Sequence, residues 1–222
     1  MRYIPPFALM KTWMASCAAD GTTSLKPTFD DVLDVLKALL AAVPVDEDWY
    51  KATYPAVADF VTRSPAETAT LHFRKHGYFE GRKPFAPGWR GLTAPVAFAE
   101  LKTRLPVNPR RGRLLVTIER VEFIRLVKTI LRAVPVDEAW YRNTYPAAAK
   151  MIDGGTFRSA TEHFAEQGYF DGWLPFDIIV DDEWYVARYD HVRTGLQRGV
   201  ARSAKDHFLQ VGYHEGCRPT PP

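Results

Sequence analysis

The sequence predicts an all-α protein made of tandem helical repeats: two homologous units of roughly 90 residues and a C-terminal half unit. Residues 4–85 align with residues 95–176 without a gap, and VPVDEDWY in the first stretch becomes VPVDEAWY in the second. A third stretch, which begins at Ile179, repeats only the second half of the pattern. Apolar residues in these stretches recur at steps of three and four, which is the spacing of one face of an α-helix. In helical solenoids each repeat exposes an apolar side that its neighbour covers.

The self-alignment divides the chain into three parts. A first helical unit is expected over residues 1–94, a second homologous unit over 95–176, and a half repeat that caps the stack over 177–222. Equivalent residues lie 91 positions apart between the first two parts and 44 apart between the last two. Residues present in all three parts are predicted to maintain the repeat itself. They are Asp46, Trp49, His72, Gly77, Gly81, Asp137, Trp140, His163, Gly168, Gly172, Asp181, Trp184, His207, Gly212 and Gly216.

An amphipathic leader helix is predicted ahead of each of the first two motifs. Pro44 and Pro135 are expected to stop these helices, because the residue before a proline avoids the helical conformation. An apolar stripe on each leader helix also permits a homodimer through these helices. The stripes consist of Val32, Leu36, Leu39, Leu40 and Val43, and of Phe123, Val127, Ile130, Leu131 and Val134.

The repeated motif predicts a short helix with a capped start. Asp46, Asp137 and Asp181 stand where an N-cap side chain accepts a backbone N–H, and the acidic residue that follows each is favoured by the positive helix end. Pro55 and Pro146 are expected to open a new helix at its first position.

The repeated histidine is predicted to lie on a second helix of the motif. Ser159 and Glu162 have the spacing of a capping box at the start of this helix. Gly77, Gly168 and Gly212 are expected to end it in the left-handed conformation. A turn with the second repeated glycine follows in each part.

The region between the first two motifs is interpreted as a connector. Gly112–Ile118 has the β-branched content of a short strand, whereas its counterpart, residues 21–27, does not, and both are assigned as connectors. The basic cluster Arg104–Arg113 is interpreted as a solvated loop rather than a phosphate-binding patch. Because the net charge is only +3, nucleic-acid binding is not expected.

The composition is typical of a cytoplasmic protein. Cys17 and Cys217 stand at opposite ends and make no disulfide framework, as in a reducing compartment. Pro5, Pro6 and Lys11 interrupt the N-terminal apolar run, so no signal peptide is predicted. No stretch approaches the roughly 20 apolar residues of a membrane span.

Three equivalent histidines suggest a metal site, since histidine is a common ligand. His72, His163 and His207 are, however, much further apart in sequence than zinc ligands normally are. The favoured interpretation is a packing role, in which a ring nitrogen bonds a backbone carbonyl or a tyrosine hydroxyl and the ring lies against Phe or Trp. His76, His191 and His214 have no equivalents and are assigned to the surface; no metal-ligating residue is predicted.

The repeated carboxylates are the remaining candidates for acid–base chemistry. Glu80, Asp171 and Glu215 occur once per repeat, so ion pairing or turn capping is the favoured interpretation. The sequence has no nucleophile motif, phosphate loop or dinucleotide fingerprint. It therefore predicts a non-enzymatic protein without catalytic residues or cofactor.

Tryptophans are candidates for sugar contacts, because amphipathic rings are often used at binding surfaces. The repeated Trp49, Trp140 and Trp184 are more readily explained by core packing. Trp89 and Trp173 lie outside the repeated positions and are predicted to be exposed contact residues.

The stretch VDEAWYRNTYPAAAKMI, followed by SATEHFAEQGYFDGWLPF, resembles a short helical repeat with the pattern DxxWYxxxYPxV…AxxHFxxxGYxEGxxP. That repeat is found beside or within bacterial glycosyltransferases and other proteins of surface-polysaccharide biosynthesis, and the resemblance implies an accessory module. Ala56 and Ala147 depart from the acid that usually follows the proline. Trp173 and Cys217 replace an arginine after the second glycine, which only Arg82 retains, so Arg82 is a third candidate binding residue.

These observations lead to two functional hypotheses. The first is a bacterial non-catalytic adaptor or regulatory protein that binds a component of the polysaccharide-synthesis machinery, such as a glycosyltransferase or a polysaccharide synthase. The alternative is a carbohydrate-binding module that uses exposed aromatic residues.

Overall fold

The computed structural model describes residues 3–18, 22–64, 66–110 and 112–221. The fold is mostly helical, with two small antiparallel strand pairs that the all-α prediction did not include. Contacts divide the chain into two compact units. We call Met14–Pro135 the central unit, and Tyr3–Trp13 with Val136–Pro222 the terminal unit. The division into 1–94, 95–176 and 177–222 describes sequence similarity and stays a prediction.

Helix α1 (Phe7–Cys17) opens the fold. The elements that follow, to the end of the central unit, are β1 (Ser24–Leu25), α2 (Phe29–Leu40), α3 (Glu47–Thr53), α4 (Pro55–Arg63), α5 (Ala69–His72), a 3-10 turn (Trp89–Gly91), α6 (Phe98–Thr103), β2 (Val107–Arg110), β3 (Arg113–Val116), β4 (Ile118–Glu119) and α7 (Arg120–Leu131). In the terminal unit they are α8 (Glu138–Thr144), α9 (Pro146–Asp153), α10 (Ala160–His163), α11 (Asp182–Arg188), α12 (Asp190–Gln197), α13 (Ala204–His207) and α14 (Tyr213–Glu215). No helix among the described residues has both the length and the apolar character needed to cross a bilayer.

The predicted connector is largely β-structure. β2 pairs with β3 as a hairpin, and β1 pairs with β4 in the register Leu25↔Ile118. The interpretation of Gly112–Ile118 as a connector is therefore wrong, and so is the exclusion of a strand from residues 21–27. Leu25, Val116 and Ile118 are buried, and the strand pairings supply hydrogen bonds to the backbone beside them. The described residues of the basic cluster thus lie mainly in this hairpin rather than in an irregular loop, although their arginine side chains are exposed.

The two leader helices are α2 and α7, which pack on each other within the central unit. The Thr28 hydroxyl accepts from the Asp31 backbone N–H while the Asp31 carboxylate accepts from the Thr28 N–H, so α2 begins with a capping box. Both stripes are buried, with Leu39 and Ile130 fully inaccessible. The predicted homodimer through these stripes is therefore wrong, because the same chain already covers them.

Phe7 and Phe98 each pack on aromatic residues that follow the repeated histidine of one motif. In the terminal unit, the Phe7 ring lies 5.8 Å from Tyr169 and 4.9 Å from Phe170. In the central unit, the Phe98 ring lies 6.0 Å from the ring of Tyr78. Since Phe98 is equivalent to Phe7 in the self-alignment, each motif contacts the N-terminal aromatic of the other predicted unit.

Candidate functional site

The repeated residues form the same arrangement in three segments, which we call the first, second and third motif segments (residues 46–82, 137–173 and 181–217). In each, a helix that carries a tyrosine packs against a second helix that carries the histidine. The tyrosine hydroxyl lies within hydrogen-bonding distance of the histidine Nδ1. The pairs are Tyr50–His72 at 3.3 Å, Tyr141–His163 at 2.9 Å and Tyr185–His207 at 3.1 Å.

The glycine five residues after each histidine makes room for this tyrosine. A Cβ atom at Gly77 would lie 1.9 Å from the Tyr50 hydroxyl oxygen, and one at Gly212 would lie 2.0 Å from that of Tyr185. These glycines have ordinary right-handed backbone angles. The prediction that they end the helix in the left-handed conformation is therefore wrong: glycine is needed there for close approach and not for its backbone freedom.

Each histidine helix continues as one π-helical turn before it ends. These turns are π1 (Phe73–Gly77), π2 (Phe164–Gly168) and π3 (Phe208–Gly212). In π1 the Tyr78 N–H donates to the Phe73 carbonyl, five residues back, at 2.9 Å. Single π turns of this kind insert one extra residue into a helix and are often found at functional sites.

The left-handed residue is the second repeated glycine. Gly81 has φ 82°, and its N–H donates to the Tyr78 carbonyl while the Arg82 N–H donates to the Gly77 carbonyl. These two bonds form a Schellman motif. Gly172 and Gly216 have the same φ sign.

Three further hydrogen bonds recur in every motif segment and in the two residues that follow it, as the second segment shows. The Asp137 side chain accepts from the Trp140 N–H at 3.0 Å, which confirms the predicted N-cap. The Asp137 N–H donates to the Pro175 carbonyl, and the Tyr145 hydroxyl accepts from the Leu174 N–H at 3.0 Å. Proline is also confirmed at the first position of α4 and α9. The capping box at the histidine helix is only half formed, since the Glu162 carboxylate accepts from the Arg158 N–H instead.

Burial favours the uncharged forms of the tyrosine and the histidine in each pair. Desolvation lowers the pKa of His163 below its usual value, and the Asp171 charge opposes this only in part. Burial likewise raises the pKa of Tyr50 to about 12, and that of Tyr141 further. A neutral phenol and a neutral imidazole suit a structural hydrogen bond.

The residue after the second glycine differs in each segment, and in the first two segments it packs on the second tyrosine of that segment. Trp173 stacks on Tyr145 with ring centroids 4.5 Å apart and on His163 at 5.3 Å. It is half-buried, and its predicted role as a contact residue stays a prediction. Arg82 places its guanidinium 5.3 Å from the centre of the Tyr54 ring and pairs with Glu80 at 2.8 Å.

The repeated tryptophans are half-buried rather than core residues. Each meets the second tyrosine of its own segment edge-on, as Trp140 does with Tyr145 at 5.8 Å. Trp49 and Trp184 make the same contact at 6.1 and 6.2 Å. This arrangement leaves part of each indole accessible.

A cleft of about 480 Å³ in the central unit contains the other predicted contact residue, Trp89. The Trp89 ring stacks on Phe85 at 5.1 Å, and the Arg90 guanidinium lies 4.6 Å from its centre. Arg90 is the one described non-glycine residue with a positive φ, 49°. Residues other than glycine adopt such angles where the surroundings impose them, often at binding sites. The cleft is lined by Pro44, Val45, Asp46, Glu47, Trp89, Arg90, Leu92 and Pro135.

Each of the three repeated carboxylates lies at the end of its own motif segment. Asp171 accepts from the Gln167 amide at 3.1 Å. Glu215 differs, because its carboxylate lies 3.9 Å from the His191 Nε2 and near the Cys217 thiol. The sequence assigned His191 to the surface and overlooked this group. The sequence does contain a signal for this group, because His191 and Cys217 both differ from the residues at the equivalent positions of the other two motif segments.

Comparison of the chain with protein-family models, with curated proteins and with solved structures gave no match. The fold and the motif geometry therefore define the class as a mostly helical protein.

Proposed function

We propose that this protein is a non-catalytic adaptor, built from two homologous units and a C-terminal half unit. One observation carries the proposal: the residues that recur in all three motif segments are engaged in their own packing. The Tyr–His hydrogen bond, the glycine beneath it and the aspartate cap all have a partner inside the segment. Folding thus explains why these residues recur in all three motif segments. We assign specific recognition of a partner to positions at which the segments differ.

The Trp89 cleft is the contact surface we propose for the partner. Pro44, Val45 and Leu92 give it an apolar part, while Glu47 and Arg90 add opposite charges to its lining. A partially buried indole next to an arginine is the composition of many protein-interaction hot spots. The cleft thus fits a segment of a partner protein that offers an apolar anchor and a charged side chain.

The identity of the partner rests on the sequence resemblance alone. We propose that it is a component of bacterial surface-polysaccharide synthesis, such as a glycosyltransferase or a polysaccharide synthase, and that the complex forms in the cytoplasm. No role in nucleic-acid binding is proposed.

Photo-crosslinking in the native host tests this proposal. A crosslinking amino acid at Leu92, inside the cleft, is expected to capture a polysaccharide-synthesis protein. The same group at Val121, which is 56% exposed on α7 and does not line the cleft, is the matched control. Equal capture at both positions, or capture of unrelated proteins only, contradicts the proposal.

Carbohydrate binding is the second candidate, and the same cleft favours it. An indole with a carboxylate and a guanidinium nearby can stack on a sugar ring and bond its hydroxyls. The indole N–H resonance of Trp89, assigned by comparison with Trp89→Phe, should then shift as polysaccharide fragments are added. If it stays in place at millimolar sugar while the crosslink at Leu92 forms, the adaptor function stands and the carbohydrate function does not.

A further inference from the structure

Three different metal-ligating side chains converge in the third motif segment. The His191 ring, the Glu215 carboxylate and the Cys217 thiol each offer an atom within 4.8 Å of the other two. His191 lies in the first turn of α12, Glu215 ends α14, and Gly216, with φ 80°, turns the chain between Glu215 and Cys217. The left-handed glycine that ends the motif helix thus brings two of the three groups together.

The spacing of these atoms is close to that of a bound transition metal. Tetrahedral zinc, with Zn–S of about 2.3 Å and Zn–N and Zn–O of about 2.0–2.1 Å, separates its ligand atoms by roughly 3.3–3.6 Å. The His191 Nε2 and the Glu215 carboxylate oxygen are already 3.9 Å apart. Both side chains are 56% exposed. Rotation about their side-chain bonds can therefore bring the two ligand atoms closer to the sulfur of the buried Cys217.

Two tyrosine hydroxyls lie beside the Cys217 thiol. Those of Tyr185 and Tyr189 favour its ionised form, whereas burial, the largest cause, raises the pKa of Cys217 above its usual value. The Tyr189 hydroxyl accepts from the Arg218 N–H at 2.9 Å, which leaves its own proton available for the sulfur. Donors to a ligand sulfur of this kind orient it and tune the metal site.

The group is specific to the third motif segment. The positions equivalent to His191 and Cys217 are Ala56 and Arg82 in the first segment. Only the carboxylate has a counterpart there, Glu80, which pairs with Arg82. The repeat framework therefore does not require the histidine and the cysteine, although Cys217 also packs in the hydrophobic cluster of this segment with Tyr185 and Phe208.

We propose that His191, Glu215 and Cys217 bind one thiophilic divalent metal ion of the zinc class, with a fourth position open to water or to a group from a partner. A nitrogen, a carboxylate and a sulfur ligand favour Zn²⁺ over Mg²⁺ or Ca²⁺, which prefer oxygen ligands alone. Binding displaces the thiol proton of Cys217 to solvent. The site lies in the terminal unit and the Trp89 cleft in the central unit, so the two proposals are tested by different variants.

Titration of the full chain with Co²⁺ tests the site, because a thiolate ligand gives a charge-transfer absorption. We expect saturation at one ion per chain, with Zn²⁺ in competition. Cys217→Ser should abolish the thiolate absorption, whereas Cys17→Ser, at the other free cysteine, should retain it. His191→Ala and Glu215→Gln should each weaken Zn²⁺ binding by more than about tenfold.

Glu80→Gln is the matched control, since it removes the equivalent carboxylate from the first segment, and we expect it to leave binding unchanged. His191 and Glu215 are exposed, so their variants decide the question even if Cys217→Ser fails to fold. Absence of thiolate absorption in the unmodified chain overturns the proposal. So does Zn²⁺ binding that is equally weakened by Glu80→Gln, or unaffected by both His191→Ala and Glu215→Gln.

Discussion

A Cβ atom at Gly168 would lie 2.1 Å from the hydroxyl oxygen of Tyr141. The same hydroxyl is 2.9 Å from the Nδ1 of His163. The glycine, the tyrosine and the histidine of a motif segment therefore form one unit, in which the absence of a side chain at Gly168 allows the hydrogen bond between the other two.

Gly168→Ala should destabilise the protein through this contact. We expect a loss of about 1–3 kcal/mol in the free energy of unfolding, the usual cost of overpacking a core. Tyr141→Phe removes the clashing oxygen, so the double variant should be less destabilised than the sum of the two single variants. Urea unfolding of all three variants measures this coupling.

Gly195→Ala is the control for that cycle. A Cβ at Gly195, inside α12, meets nothing within 4 Å, and alanine favours the helix by up to about 1 kcal/mol. We expect no loss of stability. If the changes in the free energy of unfolding caused by Gly168→Ala and Tyr141→Phe simply add in the double variant, the glycine does not serve to accommodate the tyrosine.

Gly81→Ala tests the second repeated glycine, for which the reason is different. A Cβ at this position meets no atom within 4 Å, yet φ is 82°. Alanine should cost about 1–2 kcal/mol, the strain of a left-handed conformation. Gly81→Asn should cost less, because asparagine adopts that conformation more readily. Thermal unfolding of both variants measures the difference. If Gly81→Asn unfolds at a lower temperature than Gly81→Ala, Gly81 is required for a reason other than its backbone conformation.

The buried histidines should make stability depend on pH. Burial holds the pKa of His163 in the folded chain below its unfolded value of about 6.5. The unfolded chain therefore binds the proton more readily, so stability is present above pH 6.5 and is lost as the pH falls through the folded pKa. His72 and His207 have pKa shifts in the same direction, with burial again the main cause.

Urea unfolding at a series of pH values between 7.5 and 5 measures this effect. His163→Gln should be less stable at pH 7.5 but should lose less free energy of unfolding over the interval. A slope identical to that of the unmodified chain would show that His163 does not titrate with unfolding.

Trp173→Ala should expose the Tyr141–His163 pair. The indole stacks on both Tyr145 and His163, and its removal should cost about 2–4 kcal/mol, somewhat less than for a fully buried tryptophan. Trp173→Arg should cost less than the alanine change, because Arg82 covers the Tyr54 ring from the equivalent position. Equal losses in chemical unfolding would contradict this covering role.

Local features of the motif were predictable from the sequence. The aspartate caps and the helix-initiating prolines follow from the hydrogen bonding and backbone geometry of a few adjacent residues. The leader helices were predicted by their apolar periodicity, and they end at Leu40 and Leu131, ahead of the prolines. The role of Gly168 was not predictable in this way, since it depends on a tyrosine 27 positions earlier in the chain.

The sequence by itself determined the helical character, the caps and the positions of the repeated residues, because these depend on interactions between near neighbours. Tertiary structure alone decided which groups meet across long separations. It pairs Leu25 with Ile118, places Phe7 on the second motif segment, and brings His191 to Glu215 and Cys217. The physical reason is that such contacts are selected by the packing of whole elements, which compete for the same apolar surface, and no periodicity in the chain records the outcome of that competition.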